Sequence, residues 1–250
     1  MSNSYLYIYP TTENTVYWQM AVDEHQLRMA EKQHFSLRFY TWSQPALTLG
    51  HFQESGLRKS RPELLELPWI HRISGGGAIL HHYDLTYSFA IPYEREFNQI
   101  RPWTCRFHDF CVQYLVKSGV PARLLSCEEE SKKEELLCFH HQTAGDVILQ
   151  HHKVVGSAQR RGRGVLMQHG SILLRTAPLT PDLPGIEDLT NTQIDQQAFI
   201  HFLQTSLATT LNYAIQKTNW HEKELRDIDN GIISQAEKKG QRLAQENLNS

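Results

Sequence analysis

Three glycines in a row, Gly75, Gly76 and Gly77, stand in "HRISGGGAILHHYDLTYSFA" (residues 71–90), between two apolar runs that read as strands. Glycine weakens a strand, so a triplet there marks a tight turn or a close approach of backbone to a ligand. Uncovered backbone N–H groups can form a concavity for a phosphate, a carboxylate or an oxyanion. Arg72 and Ser74 would add donors. A plain strand-to-strand turn is the alternative, but three glycines exceed what a turn needs, and a ligand-facing loop is preferred. The spacing is neither GxGxxG nor a Walker loop. In "HHKVVGSAQR", Lys153 lies in a strand-like run just ahead of Gly156, Ser157 and Ala158. A lysine there is either an edge-strand charge or a cation aimed at a ligand, and spacing alone favours the edge. In "QHGSILL", His169 reads as a satisfied structural histidine within an apolar strand.

The four cysteines, Cys105, Cys111, Cys127 and Cys138, show no CxxC pairing. In a cytosolic chain they stay reduced, and the default role of each is a small apolar side chain. Histidine is plentiful at 14. Cys138, His140, His141, His151 and His152 fit no structural zinc spacing, so no metal is expected.

These groups must be carried by a chain of 250 residues with a net charge of −2. That length buries a real core, and the charge supplies no basic field for nonspecific nucleic-acid binding. No apolar run is long enough to span a bilayer. "MSNSYLYIYPTTENT" lacks the basic and apolar regions of a signal peptide, which makes a cytoplasmic protein without membrane contact the expectation.

The patterning predicts a strand at 5–9, then a helix through "TTENTVYWQMAVDEHQLRMAEKQ" capped by Thr12 or Asn14. Val16, Met20, Leu27 and Ala30 share a stripe on it with Asp23, which reads as a carboxylate bonded to a nearby loop. "SLRFYTW" alternates like a half-buried strand, and "PALTLGHFQ" continues the sheet. In "LTYSFAIP", Leu85, Tyr87, Phe89 and Ile91 share a face. A helix is expected over 101–118, with Cys105 and Cys111 in the core. "DVILQHHKVVGSAQ" and "GVLMQHGSILL" read as paired strands joined by "RRGRG". "CEEESKKEELLCFH" opens on a solvated charge run. Phe199, Leu203, Leu207, Leu211 and Ile215 mark an amphipathic helix. The expected class is α+β, a mixed, largely antiparallel sheet flanked by helices. Residues 1–220 would be a single catalytic domain and 221–250 a charged, partly helical, peripheral tail.

"QMAVDEHQL", "LRFYTWSQPALTLGHFQ", "HRISGGGAILHHYDLTYSFAIP" and "KVVGSAQRRGRGVLMQHGSILL", in this order, resemble the motifs of the biotin/lipoate protein ligase superfamily, in its branch of lipoate-protein ligases and octanoyltransferases. The resemblance spans about residues 5 to 175. It implies a fold like the catalytic domain of biotin protein ligase. It implies that residues 72 to 81, from Arg72 through Ala78 to His81, line a pocket for a medium-chain acyl group, with Gly156, Ser157 and Ala158 beside it. It further implies that Lys153 reaches the acyl carboxyl or carbonyl end. The glycines would then let backbone approach the acyl chain.

Two chemistries are implied by that superfamily. A ligase activates lipoate with ATP and Mg to an adenylate. A transferase takes octanoyl from acyl carrier protein through a cysteine thioester. "CFHHQTAGDVILQHHK" resembles the Cys-Phe segment that carries the nucleophile in one transferase branch, which makes Cys138 the expected nucleophile. Asp146 falls near a glutamate of that branch. No cysteine follows Cys138, which excludes a second branch whose cysteine lies downstream of the His-Gly motif. The expectation is an octanoyltransferase of lipoate biosynthesis that needs no cofactor. Its implied partners are acyl carrier protein and a lipoyl-carrier domain, either the glycine cleavage H protein or a dehydrogenase E2 subunit. An ATP-dependent lipoate-protein ligase and a non-catalytic acyl or carrier-protein binding module are the alternatives.

Overall fold

The computed structural model describes residues 4–93, 102–131 and 135–248. The start of the helix expected from 101, part of the charge run (132–134) and the ends of the chain lie outside the described residues. Among the described residues the main sheet has nine strands: β1 (Tyr5–Ile8), β2 (Thr12–Asn14), β3 (Ser36–Trp42), β7 (Asp84–Pro92), β8 (Arg123–Leu124), β9 (Val147–Leu149), β10 (His152–Gly162), β11 (Val165–Leu173) and β12 (Ala214–Lys217). Their order is β12-β1-β3-β7-β11-β10-β9-β8, with β2 paired to β3. The β12–β1, β1–β3 and β2–β3 pairs are parallel and the rest antiparallel. A second sheet holds β4 (Ala46–Leu49), β5 (Trp69–His71) and β6 (Ile79–His81) in the order β5-β4-β6. The fold is thus α+β with a largely antiparallel sheet flanked by helices. One expectation is corrected here: "PALTLGHFQ" leaves the main sheet and starts the smaller one, because the turn at Ser43–Pro45 redirects the chain.

Two helices pack on one face of the main sheet, α2 (Trp103–Lys117) and α4 (Gln196–Leu211), with the short α3 (Ile186–Thr190) between them in sequence. Leu85, Tyr87, Phe89 and Ile91 of β7 meet Trp103, Phe107, Cys111, Phe199, Leu203 and Leu207 there in one apolar cluster. Burial of this face supplies most of the driving force, because each fully buried large apolar side chain is worth about 1.5–3 kcal/mol. Asp195 caps α4 by accepting from the Ala198 amide (3.0 Å), and Asn212 ends it in the left-handed region. Ile215 therefore lies on β12, beyond that stop, rather than on the helix its spacing suggested. Cys111 is a core thiol, but Cys105, at the first turn of α2, is only half-buried.

Helix α1 (Val16–Ala30) covers the opposite face. Its cap is Thr15, not Thr12 or Asn14, because residues 12–14 are already committed to β2. The alternation on β7 explains the polar layer beneath α1. Asp84, Thr86 and Ser88 point there, opposite the apolar face. Helix α5 (Glu222–Leu248) is continuous and lies along α1. Ile228 is buried against Ala21 and Val22, Glu224 accepts from the Tyr9 hydroxyl (2.6 Å), and Tyr9 stacks on Trp220. No helix among the described residues is long and apolar enough to cross a membrane.

Fold and site are tied by His108 on α2. It is fully buried, and its Nδ1 lies 2.6 Å from the Gly145 carbonyl, which requires the proton on Nδ1. Burial holds this imidazole below the usual histidine range, with Asp146 opposing that shift. A folded value below the unfolded one, about 6.5, means the unfolded chain binds more protons. The contribution of His108 is therefore complete above about pH 6.5 and falls as the pH drops. Urea unfolding between pH 7.5 and 5 is expected to show His108→Asn with a flatter loss of stability, by up to about 1.4 kcal/mol per pH unit. Identical slopes in the two proteins would contradict a buried neutral His108.

Candidate active site

The loop from Arg72 to Ala78 joins β5 to β6 and lies against the end of β4. Arg72 N donates to Leu49 O (2.9 Å) and His51 N to Ser74 O (2.8 Å). Gly76 takes φ +93, where side chains are disfavoured, and its carbonyl presses so closely on Gly50 that no Cβ fits at Gly50. Gly77 is needed for a different reason. A Cβ there would stand 3.0 Å from the Cys138 Cα and N. The triplet therefore admits the backbone of residues 136–138, which pairs with Ala78: Ala78 N donates to Leu136 O (2.9 Å) and Cys138 N to Ala78 O (2.7 Å).

Cys138 starts a single 3₁₀ turn, and its half-buried sulfur lies 3.7 Å from Lys153 Nζ. Lys153 is buried in β10 between β9 and β11. Spacing alone favours an edge lysine; β9 covers that edge and corrects this expectation. The ammonium pairs with Asp146 (2.8 Å) and donates to the His141 carbonyl (3.2 Å). Asp146 is itself fixed by the Thr143 amide (2.8 Å) and hydroxyl (3.1 Å). Gly156 makes room for this lysine, since a Cβ there would lie 2.4 Å from Lys153 Cε. The neighbouring imidazoles point elsewhere: His140 is held by Glu135 and Asp182, and His141 Nε2 lies 3.0 Å from the Glu135 carbonyl.

Arg72 is buried and braces the glycine loop from within. It donates to Gly75 O (2.6 Å), Gly77 O (2.8 Å), Thr48 O (3.3 Å) and Ser74 Oγ (3.2 Å). Burial pulls its guanidinium down to about 10, which leaves it cationic at neutral pH. Behind the loop lies a narrow cavity of about 20 Å³, lined by Arg72, Ile79, His81, Ala158, His169 and Gly170 among others. Cys138 lies against Gly77, two residues before Ile79 of the lining, and Lys153 against Gly156, two residues before Ala158 of the lining. Ser157 and Ala158 lie on β10 opposite Gly170 and His169.

Two buried Asp–His pairs floor this cavity. His81 Nδ1 lies 2.9 Å from Asp84, its Nε2 2.9 Å from the Thr48 hydroxyl, and its ring stacks on Trp42. Burial alone would raise the Asp84 carboxyl, but His81, Ser171 and Thr86 outweigh it and hold it below the usual range. His169 Nδ1 lies 2.7 Å from Asp23, and its Nε2 bonds to the Ser74 hydroxyl. His169 is thus a satisfied histidine that also lines the cavity. Asp23 does not reach a loop, as the stripe on α1 suggested. It meets strands: Arg38 of β3 (2.5 Å), Tyr40 and His169 of β11.

Signals for the remaining members are present in the sequence. Asp84, Thr86 and Ser88 alternate with the apolar residues of β7, and Gln19, Asp23 and Gln26 recur at helical spacing opposite Arg38. Together these side chains offer a thiol beside an ammonium and an adjoining, largely apolar cavity, suited to acyl transfer. Among the described residues no three His, Cys, Asp or Glu side chains converge to hold a metal.

Residues 15–211 match the family model described as the lipoyl protein ligase A/B catalytic domain. The chain is 35% identical over 163 residues to an octanoyltransferase LipM of Clostridioides difficile, covering 62% of this chain and 60% of that protein. It is 31% identical over 188 residues to the LipM of Oceanobacillus iheyensis, covering 71% of this chain and 65% of that protein. The chain spans about three fifths of the length of the first curated relatives it matches. Its fold is similar to a lipoate-protein ligase A solved with ATP, at a TM-score of 0.68 and 18% identity over 93% of this chain and 94% of the other. It is also similar to a bi-partite lipoate protein ligase of Thermoplasma acidophilum, studied with its E2 lipoyl domain, at a TM-score of 0.64 and 16% identity over 92% of each chain.

Proposed function

The chain belongs to the lipoyl protein ligase A/B catalytic-domain family, and within that family we propose that it is an octanoyltransferase of lipoate biosynthesis that carries the acyl group on Cys138. The observation that carries this reading is the Cys138 sulfur 3.7 Å from the buried Lys153 ammonium, beside the cavity behind the glycine loop. Relatives named octanoyltransferase at 30–35% identity support the same direction.

In the first step the Cys138 thiolate attacks the carbonyl of an octanoyl thioester. A new C–S bond forms, the donor's C–S bond breaks, and the donor thiolate takes up the proton that Cys138 gave up. Lys153 stabilises negative charge on sulfur and on the carbonyl oxygen, and the Gly76 and Gly77 amides offer further donors to the oxyanion. In the second step the neutral amine of a lysine on a lipoyl-carrier domain attacks the Cys138 thioester. A C–N bond forms, the Cys138 thiolate leaves, and the amine's proton passes to solvent. The octyl chain enters at the narrow cavity floored by His81 and His169, which must widen to hold it, with Arg72, Ser74 and Gly75 to Ala78 forming its rim.

The donor is acyl carrier protein, and the acceptors are the glycine cleavage H protein or dehydrogenase E2 subunits. Neither ATP nor Mg takes part, and the setting is the cytoplasm. The test is octanoylation of an isolated lipoyl domain by the full chain from an octanoyl thioester. Transfer at equal rates with and without ATP is the expected result. Modification that requires ATP and free octanoate or lipoate would overturn it in favour of a ligase, and no modification under either condition would leave a binding module.

A further inference from the structure

Between α1, α5 and the strand leading into the glycine loop lies a second, wider cleft of about 300 Å³. Its charged lining is almost wholly cationic. Helix α1 contributes Arg28, the loop Arg72, β10 Arg160, and α5 Lys238, Lys239 and Arg242. Among the described residues one carboxylate lines it, Glu24, which already accepts from Gln235 (3.1 Å) and lies 3.8 Å from Arg28.

The inner cations are held by neutral partners. Arg242 Nη1 donates to the His51 carbonyl (2.7 Å). Lys239 Nζ donates to the Trp69 carbonyl (2.9 Å) and stands 4.0 Å over the Trp69 ring. Arg72 is spent on carbonyls and a hydroxyl. The crowding is felt by its neighbours: burial, then the charges of Arg242 and Arg160, holds the His51 imidazole below its usual range. Cations gathered around a concave site focus their field on it and favour a compact anion. Guanidinium forks match phosphate oxygens in geometry, and lysine adds a point charge.

The position gives the anion a context. Arg72 lines both this cleft and the acyl cavity, and Arg160 is two residues along β10 from Ala158 in the acyl cavity. The glycine loop is a shared wall. Thioester donors that carry an acyl group on a pantetheine arm end that arm in a phosphate ester. We propose that this cleft binds the phosphate ester of the acyl donor's pantetheine arm, while the acyl chain enters the cavity behind the loop. The identity of the ligand as an acyl donor rests on the transferase reading; the preference for a phosphate ester stands on the cleft alone.

The test is calorimetric titration of the full chain with 4′-phosphopantetheine and with unphosphorylated pantetheine. The phosphorylated compound is expected to bind about ten- to a hundredfold more tightly, the effect of charge-assisted hydrogen bonds, and the difference should shrink with salt. Lys238→Glu, a change at an exposed position, and Arg242→Gln should each remove most of that difference. Equal binding of the two compounds, or a preference that neither variant reduces, would overturn the site. Holo acyl carrier protein displacing the bound compound at lower concentration than coenzyme A supports a carrier-borne ester, and the reverse order supports coenzyme A. Displacement by neither would overturn the site as a donor site. A chain that keeps the phosphate preference yet forms no adduct at Cys138 loses the transferase reading alone. One acylated equally fast by octanoyl-pantetheine and its phosphorylated form keeps that reading and loses the cleft.

Discussion

Replacing Asp23 with alanine is expected to cost the folded chain about 3–5 kcal/mol, the cost of breaking a buried ion pair by removing one partner. Arg38 is fully buried, and Asp23 supplies its counter-charge at 2.5 Å. The other acceptors around that guanidinium are neutral: the Gln19 side chain and carbonyl, Gln26 and Ser88. Burial would raise the Asp23 carboxyl, but Arg38 and His169 outweigh it and hold it below the usual carboxylate range. A folded value below the unfolded one, about 3.9, places the stabilisation above that pH and removes it as the pH falls further. Alanine leaves the guanidinium without a counter-charge at every pH. His169 also loses the partner that orients its ring toward Ser74. Urea unfolding at neutral pH measures the loss, and a shift below about 1 kcal/mol would mean that the Arg38 guanidinium is not left stranded. The double variant Asp23→Leu/Arg38→Met should cost less than the sum of the two single changes, because no charge is then left stranded.

Replacing Cys138 with serine is expected to lower acyl transfer by at least about 10³-fold, the scale seen when a covalent nucleophile is removed. The change is nearly isosteric, and it leaves the Cys138 amide bond to Ala78 and the pairing of residues 136–138 with the glycine loop in place. A serine hydroxyl 3.7 Å from an ammonium that is already paired with Asp146 has no base to take its proton. His140 Nε2 is bonded to Asp182 with its Nδ1 against the Glu135 carboxylate, and His141, the other near imidazole in sequence, is bonded to the Glu135 carbonyl. Folding should be unchanged, because the sulfur is only half-buried. A variant that unfolds as the native chain does and transfers octanoyl at more than a tenth of its rate would remove Cys138 from the chemistry.

The long strands were legible because their apolar residues alternate. Leu85, Tyr87, Phe89 and Ile91 do lie on one buried face, and the β10–β11 hairpin turns at "RRGRG". What the pattern could not carry is tertiary. Nothing in "PALTLGHFQ" says that its strand pairs with residues 69–71 and 79–81 instead of with β3. Lys153 looked like an edge residue because β9, only three residues long, is too short to announce itself as the strand that covers it. Asp23 looked like a loop contact because Arg38 and His169 are 15 and 146 residues away in sequence. At the site the residue types were visible and the reason for the glycines was only half visible. Positive φ at Gly76 follows from a tight loop, but Gly77 is small because residues 136–138 pass against it, a contact 61 residues long in sequence between Gly77 and Cys138. Composition hid the cationic cleft as well. A net charge of −2 is a sum over the chain, and the six cations come together only where α5 lies along α1.

The most direct measurement is the intact mass of the full chain after incubation with an octanoyl thioester in the absence of ATP, for the native protein and for Cys138→Ser. The thioester route predicts one octanoyl increment on the native chain, removed by hydroxylamine, and none on the variant. An increment of the same size on both, or none on either alongside ATP-dependent modification of a lipoyl domain by both, would contradict it.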